Sequence, residues 1–157
     1  MRITAKVDYA VRAGAELAAA QARADGVRAP MKGSAIATAQ QIPLRFLETI
    51  LADLRRSGLV GSQRGAEGGY WLARPATEVS VADVIRAVEG PLADVHGLPP
   101  EDVSYLGAAA ALQRVWIATR VALREVLEAT SLAAIAVGDL PHALVALVER
   151  PGGWARR

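Results

Sequence analysis

The stretch SQRGAEGGYWL, residues 62–72, sets one arginine ahead of three glycines and closes on alternating aromatic and aliphatic residues. Arg64 is a permanent cation with a planar fork of donors. The glycines around it let the chain reverse without side-chain bulk. A phosphate-cradling loop of the nucleotide hydrolases would place its glycines before a helix that begins with Lys and then Ser or Thr, and neither follows here. A dinucleotide fingerprint fails as well: Gly65, Gly68 and Gly69 precede a strand-like run, and no alternation of strands and helices follows. Two readings stay open: a hairpin tip that contacts nothing, and a hairpin that carries Arg64 to an anionic partner.

Other side-chain chemistry is sparse. The chain holds no cysteine, which removes disulfides, thiolate nucleophiles, zinc knuckles and all-cysteine iron-sulfur ligation. Asp94, His96, Glu101 and Asp102 could offer oxygen and nitrogen ligands, but their spacing matches no metal site, and they read as solvated loop residues. No catalytic, cofactor-binding or metal-ligating residue is assigned, and no cofactor is expected. Without clustered histidines and carboxylates or a cofactor loop, the chain is not read as an enzyme.

Residues 1–75 carry 11 Lys and Arg against 6 Asp and Glu, whereas the rest carry 7 against 10. The formal net charge of +2 therefore conceals a basic first part that faces an anion and an acidic second part that does not. The 157 residues are 52% hydrophobic and 22% charged, as expected of a packed helical protein. One Phe, three Trp and three Tyr leave the core to Ala, Leu and Val. No apolar run is long enough to span a membrane, and the first residues lack the pattern of a signal peptide, so the expected location is cytoplasmic.

From Thr4 to about Ala22, Val7, Ala10, Val11, Gly14, Leu17 and Ala18 recur at helical spacing and predict one amphipathic helix. The turn formers of ADGVRAPMKG separate it from a short helical piece, SAIATAQQ, that closes at Ile42 and Pro43. Leu47, Ile50, Leu51 and Leu54 then share one face, Arg45, Glu48, Thr49 and Arg55 lie off it, and Gly58 stops the helix. Two helices joined by a tight turn, the second with an exposed polar face, form a helix-turn-helix pattern. GLVGSQRG and GGYWLAR follow at once as two short strands, so the glycine-tipped hairpin takes the place of a wing. VSVADVIRAVEGP reads as a helix with Ser80 and Asp83 as a capping box, its face of Val81, Val84, Ile85 and Val88 expected beneath the hairpin.

LADVHGLPPEDVS, with consecutive prolines, is the linker. A long helix is predicted from about Ser104 to Thr130, with Tyr105, Leu112, Thr119 and Val126 at intervals of seven and Ala109, Trp116 and Leu123 between them. Such a seam wants another helix. Pairing with a second copy of the chain and folding back on the first helix are both open. The C-terminal LPHALVALVERPGGWARR reads as an apolar helical piece and a frayed basic tail.

The opening MRITAKVDYAVRA, the run IPLRFLETILADLRRSGLVGSQRGAEGGYWLAR and the segment VSVADVIRAVEG resemble the Rrf-type bacterial transcription regulators. The likeness covers residues 1–90 and extends to the long helix. It implies a mainly α fold with a small β-wing: a winged helix-turn-helix DNA-binding domain over residues 1–90, a linker over 91–103, and a dimerisation helix and tail over 104–157. It further implies a homodimeric repressor that recognises a double-stranded operator. Pro43, Leu44, Arg45 and Phe46 would then face the bases, Tyr9 and Ser34 the phosphates, and Arg64 with Gly65 the minor groove. Arg45 as a solvated surface residue and Phe46 as a core residue remain open. Tyr105, Leu112, Trp116, Thr119, Leu123 and Val126 would form the dimer seam. Cluster-binding members of this family carry three cysteines after the EG pair, where this chain has PLADVHGLPPEDVSYLG. The resemblance therefore implies a member without an iron-sulfur cluster. The effector is left open between a small molecule seated by the linker, a protein partner, and none. A winged helix that binds an acidic protein instead of DNA is the alternative reading.

Overall fold

The computed structural model describes residues 2–155. Helix α1 (Ala5–Arg23) begins where the Thr4 hydroxyl accepts the Val7 N–H at 3.2 Å, and it buries Val7, Ala10, Ala13, Leu17 and Ala18. α2 (Gly33–Gln40) and α3 (Leu44–Arg56) follow, joined across Gln41, whose left-handed backbone makes the tight turn. Leu47, Ile50, Leu51 and Leu54 of α3 all lie in the core. Complete burial of such side chains contributes roughly 1.5–3 kcal/mol each, enough to hold α3 against α1 whatever its outer face carries.

Strands β1 (Val60–Gln63) and β2 (Gly69–Leu72) pair antiparallel with Val60 opposite Leu72 and Gln63 opposite Gly69. Met31 adds a short third rung, exchanging two backbone hydrogen bonds of 2.8 Å with Tyr70. Gly69 makes this rung fit, because a Cβ there would stand 2.7 Å from the Met31 carbonyl oxygen. The rung anchors the wing to the segment that opens α2.

α4 (Val81–Glu89) starts with the expected capping box: Ser80 Oγ accepts the Asp83 N–H, and Asp83 Oδ2 accepts the Ser80 N–H, each at 3.1 Å. Its packing differs from the expectation. α4 rests on α1 and α3, and the hairpin rests on α1 and α3 through its own strands, so the two do not stack. Of the expected face, Val84 and Val88 are buried and Val81 and Ile85 only partly so; Ala82 is the third buried side chain. Lys6 explains the alternative seat. Its Nζ lies 2.8 Å from Asp53 on α3 and donates to the Val88 carbonyl at 2.7 Å, joining α1, α3 and the end of α4.

The long helix, α5 (Leu112–Ala129), begins eight residues later than the sequence pattern suggests. Gly107, at φ +58°, departs from the α-helical backbone, and only a short 3-10 turn at residues 107–109 precedes α5. Tyr105 and Ala109 thus precede α5 rather than belonging to its seam. Tyr105 still reaches it, since its hydroxyl accepts the Trp116 indole N–H at 3.0 Å. α5 packs on α4 and on the 3-10 turn Pro100–Asp102 rather than folding back along α1.

α6 (Leu132–Val137), which the sequence pattern leaves in the C-terminal extension, returns to α1. Leu132 is 0% exposed and fills the space left by Gly14, where a Cβ would stand 2.8 Å from its Cδ1. The Val81 N–H donates to the Thr130 carbonyl at 2.9 Å and the Leu132 N–H to the Val79 carbonyl at 2.8 Å, which joins the start of α4 to the start of α6. α7 (His142–Val148) follows, with Trp154 exposed beyond it. The basic end of the tail, residues 156–157, lies outside the described residues.

Candidate nucleic-acid interface

The first turn of α3 leaves Pro43, Leu44 and Arg45 exposed, while Phe46 turns inward and packs edge-on against Tyr9 with ring centroids 5.7 Å apart. Of the two open readings for Phe46, the packing one accounts for its position. Leu47 sets the geometry: once its side chain fills the core, Arg45 two positions earlier must point away. Tyr9 is engaged on two sides, by Phe46 and by the Arg12 guanidinium 5.2 Å from its ring. Arg12 is itself held by Asp8 at 3.1 Å and by the Gln40 side chain at 3.1 Å, so it clamps α1 to the end of α2.

Ser34 is exposed in the first turn of α2. Neither α2 nor α3 has a side-chain cap at its start, whereas Thr4, Ser80 and Ser131 cap α1, α4 and α6. The leading N–H groups of both motif helices are thus open to an anion, and their dipoles favour one.

Arg64 stands exposed at the end of β1, just before the wing turn. Gly65 takes φ +103°, and the Gly68 N–H closes the turn on the Gly65 carbonyl at 3.1 Å. Gly68 admits no side chain, because a Cβ would lie 2.2 Å from the Gln63 carbonyl oxygen. The wing is fastened by a residue absent from the sequence-based candidates: Lys32 Nζ donates to the Gly65 carbonyl at 2.7 Å. Together with the Met31 rung, this ties the turn beside Arg64 to the start of α2, two residues from Ser34.

Further cations border the hairpin. The Arg28 guanidinium lies 3.6 Å from the Trp71 ring centre and bonds the Gln63 side chain, and Arg55 on α3 reaches Ser62 Oγ at 3.3 Å. In the sequence, Arg55 shows only as a residue off the apolar face of α3 and Arg28 only in the basic balance of residues 1–75, and neither signal says which cations gather. Asp53 of α3 is spent on pairs within the fold, with Lys6 at 2.8 Å and Arg56 at 2.7 Å. Its pKa is held below the usual carboxylate range, first by the hydrogen bond from Lys6, with burial acting in the opposite sense and Arg56 adding to the lowering.

A helix-turn-helix with an outward first turn, followed by a hairpin that holds an arginine beside it, defines a winged helix-turn-helix DNA-binding protein. Residues 3–138 match the Rrf2 family, described as an iron-dependent transcriptional regulator. The chain belongs to that family. It is 48% identical over 149 residues to a Mycobacterium tuberculosis protein named as an HTH-type transcriptional regulator, covering 95% of this chain and 89% of the relative. It is 34% identical over 132 residues to the HTH-type transcriptional regulator CymR of Bacillus subtilis, covering 84% and 87%. The solved structure of B. subtilis CymR, titled a global cysteine regulator, superposes with a TM-score of 0.69 at 31% identity, covering 88% of this chain and 98% of that one. IscR of T. potens superposes with a TM-score of 0.66 at 34% identity, covering 91% and 90%. The protein is accordingly a DNA-binding transcriptional regulator.

The iron in the family description finds no matching donors here. There is no thiolate anywhere in the chain. In the segment after α4, Asp94 accepts the Gly97 N–H at 2.8 Å and Glu101 accepts from Arg120 at 2.5 Å, so both serve local structure. Among the described residues, no group of three or more His, Asp or Glu side chains is placed to hold a metal ion. The residues present do not fit an iron-sulfur cluster. No helix among the described residues is long and apolar enough to cross a membrane.

Proposed function

We propose that the protein acts in the cytoplasm as a homodimeric repressor that binds a near-palindromic operator and performs no catalysis. The observation that carries this reading is α5, an 18-residue helix that buries none of its residues within the single chain. Val115 is 51% exposed and Trp116 37%, and they flank Leu112, Thr119, Leu123 and Val126 on one side of the helix. An apolar face of that length is covered most economically by the same face of a second copy, which gives a two-fold axis. Tyr105 contributes from outside the helix, by holding the Trp116 indole.

A two-fold axis places two recognition helices on successive major grooves, about 34 Å apart, and so requires a near-symmetric site. Arg45 then reads a base edge, with a guanine as the best partner for its bidentate fork. Pro43 and Leu44 offer apolar contact beside it. Ser34, and the uncapped start of α2, take backbone phosphates, and Tyr9 lines the same edge. Gly65 lets Arg64 approach the minor groove, where a narrow groove concentrates negative potential. Occupying a promoter in this way represses it.

Selection of bound fragments from random duplexes tests the reading. A symmetric consensus with half-sites one helical turn apart is expected. Binding without consensus, or displacement by any duplex of equal length, overturns it.

A further inference from the structure

We propose that the wing carries a second DNA contact, Arg28, whose guanidinium is held on the Trp71 indole to meet the phosphodiester backbone beside the groove that Arg64 enters. Arg28 belongs to the segment between α1 and α2, outside both the helix-turn-helix and the hairpin. Three residues on, Met31 pairs with Tyr70, and four residues on, Lys32 bonds the Gly65 carbonyl. The segment is thus laid along the hairpin, and Arg28 comes to rest on it.

What holds it there is a stack. The register puts Gly61 opposite Trp71, on the face of the hairpin turned away from the buried Val60 and Leu72. The indole lies so close to Gly61 that a Cβ there would stand 2.4 Å from its Cε2. The Arg28 guanidinium lies 3.6 Å from the ring centre, and one of its terminal nitrogens donates to the Gln63 side-chain oxygen. A stacked guanidinium meets the ring with its face and keeps its N–H edge for acceptors in its own plane. Arg28 is exposed and makes no ion pair and no further hydrogen bond among the described residues, so that edge is open to an acceptor.

Charge separates Arg28 from an ordinary surface arginine. Lys6, Arg12, Arg56 and Arg74, in the same basic part of the chain, each pair with a carboxylate. The cations on the hairpin are fastened otherwise: Arg28 by an amide oxygen, Lys32 by a backbone carbonyl and Arg55 by a hydroxyl. Neutral anchors fix where a cation sits and leave its charge uncompensated. Glu67, the one carboxylate of the hairpin, pairs with none of them among the described residues. Positioned like charges repel one another, and a polyanion relieves that repulsion. Gln63 and Gly65, which anchor Arg28 and Lys32, are the two chain neighbours of Arg64, so these cations flank the arginine assigned to the minor groove. Phosphates border that groove on both sides. A guanidinium held back on the body of the hairpin meets them rather than a base edge, and its contact carries no sequence preference.

The inference rests on the wing reading of Arg64, and the test keeps the two apart. The full chain is titrated by fluorescence anisotropy against a selected operator and an unrelated duplex of equal length, at several chloride concentrations. Arg28→Gln should weaken binding to both duplexes by the same factor, at least about threefold, and reduce the slope of log affinity against log salt by about one per chain. Arg28→Lys keeps the charge and should restore the slope. An arginine that only shields Trp71 would lower stability in both variants and leave the slope alone. An unchanged slope in Arg28→Gln overturns the proposal, as does a loss confined to the operator or one that Arg28→Lys fails to restore. If Arg64→Ala moves the slope and Arg28→Gln does not, the wing reading stands and this inference fails alone. If neither moves it, the wing reading fails with it.

Discussion

The winged-helix unit and α5 are built of similar residues and meet opposite fates. In the former, α1, α2, α3, the hairpin, α4 and α6 close on a shared core in which Leu17, Ile36, Leu47, Ile50, Leu51 and Leu132 are fully buried. In the latter, Leu, Val, Ile and Trp side chains lie along a helix with no buried position. Apolar residues at helical spacing signal a need for cover without saying where the cover comes from. The first unit finds it within the chain; on the proposed reading, α5 takes it from a second molecule.

The largest effect that would sharpen this contrast comes from Leu132→Ala. The residue follows α5 in sequence yet belongs to the other region, so its truncation should cost the winged-helix unit about 2–5 kcal/mol, read by urea denaturation. A cost near zero would mean that α6 is not part of that core. Val115→Glu should do the reverse, leaving the helical circular dichroism of the winged-helix unit intact while converting dimer to monomer by light scattering. Operator affinity should then fall roughly 100-fold or more, about 2.7 kcal/mol, because each half-site is bound alone.

Smaller effects fall within the DNA-reading unit. Arg64→Ala should weaken operator binding by about 1–2 kcal/mol and reduce the slope of log affinity against log salt by about one, as loss of one groove or phosphate cation requires. Titrations at two salt concentrations check both. Unchanged affinity and slope would return the wing to a hairpin that contacts nothing. Asp53→Asn should cost about 1 kcal/mol at neutral pH, since it loosens the Lys6 link between α1, α3 and α4. The folded pKa of Asp53 lies below its unfolded value, so this stabilisation is complete above the unfolded pKa of about 3.9 and fades as pH falls through the lower folded value. The gap between wild type and variant, measured by urea denaturation, should therefore close in strong acid.

The elements legible in the sequence were those whose signal is local. The spacing of Val7, Ala10 and Leu17, the capping pair Ser80 and Asp83, the stop at Gly58 and the glycines of the wing each act within a few residues, and the structure has these elements where the pattern puts them. What was illegible depends on residues far apart. The seat of α4 on α1 and α3 follows from Lys6 reaching both Asp53 and Val88, and the seat of α6 from the small size of Gly14. The start of α5 was misplaced because Ala108 to Ala111 favour a helix while Gly107 has φ +58°. Within the candidate site, Arg45 and Arg64 announced themselves by position. Lys32 did not, since its role lies in a bond to a carbonyl 33 residues away.

Sedimentation equilibrium of the wild-type chain, alone and with a selected operator duplex, addresses the pairing of α5 most directly. Dimer in dilute buffer, and two chains per duplex in the complex, are the masses expected. Single chains in both conditions would contradict it.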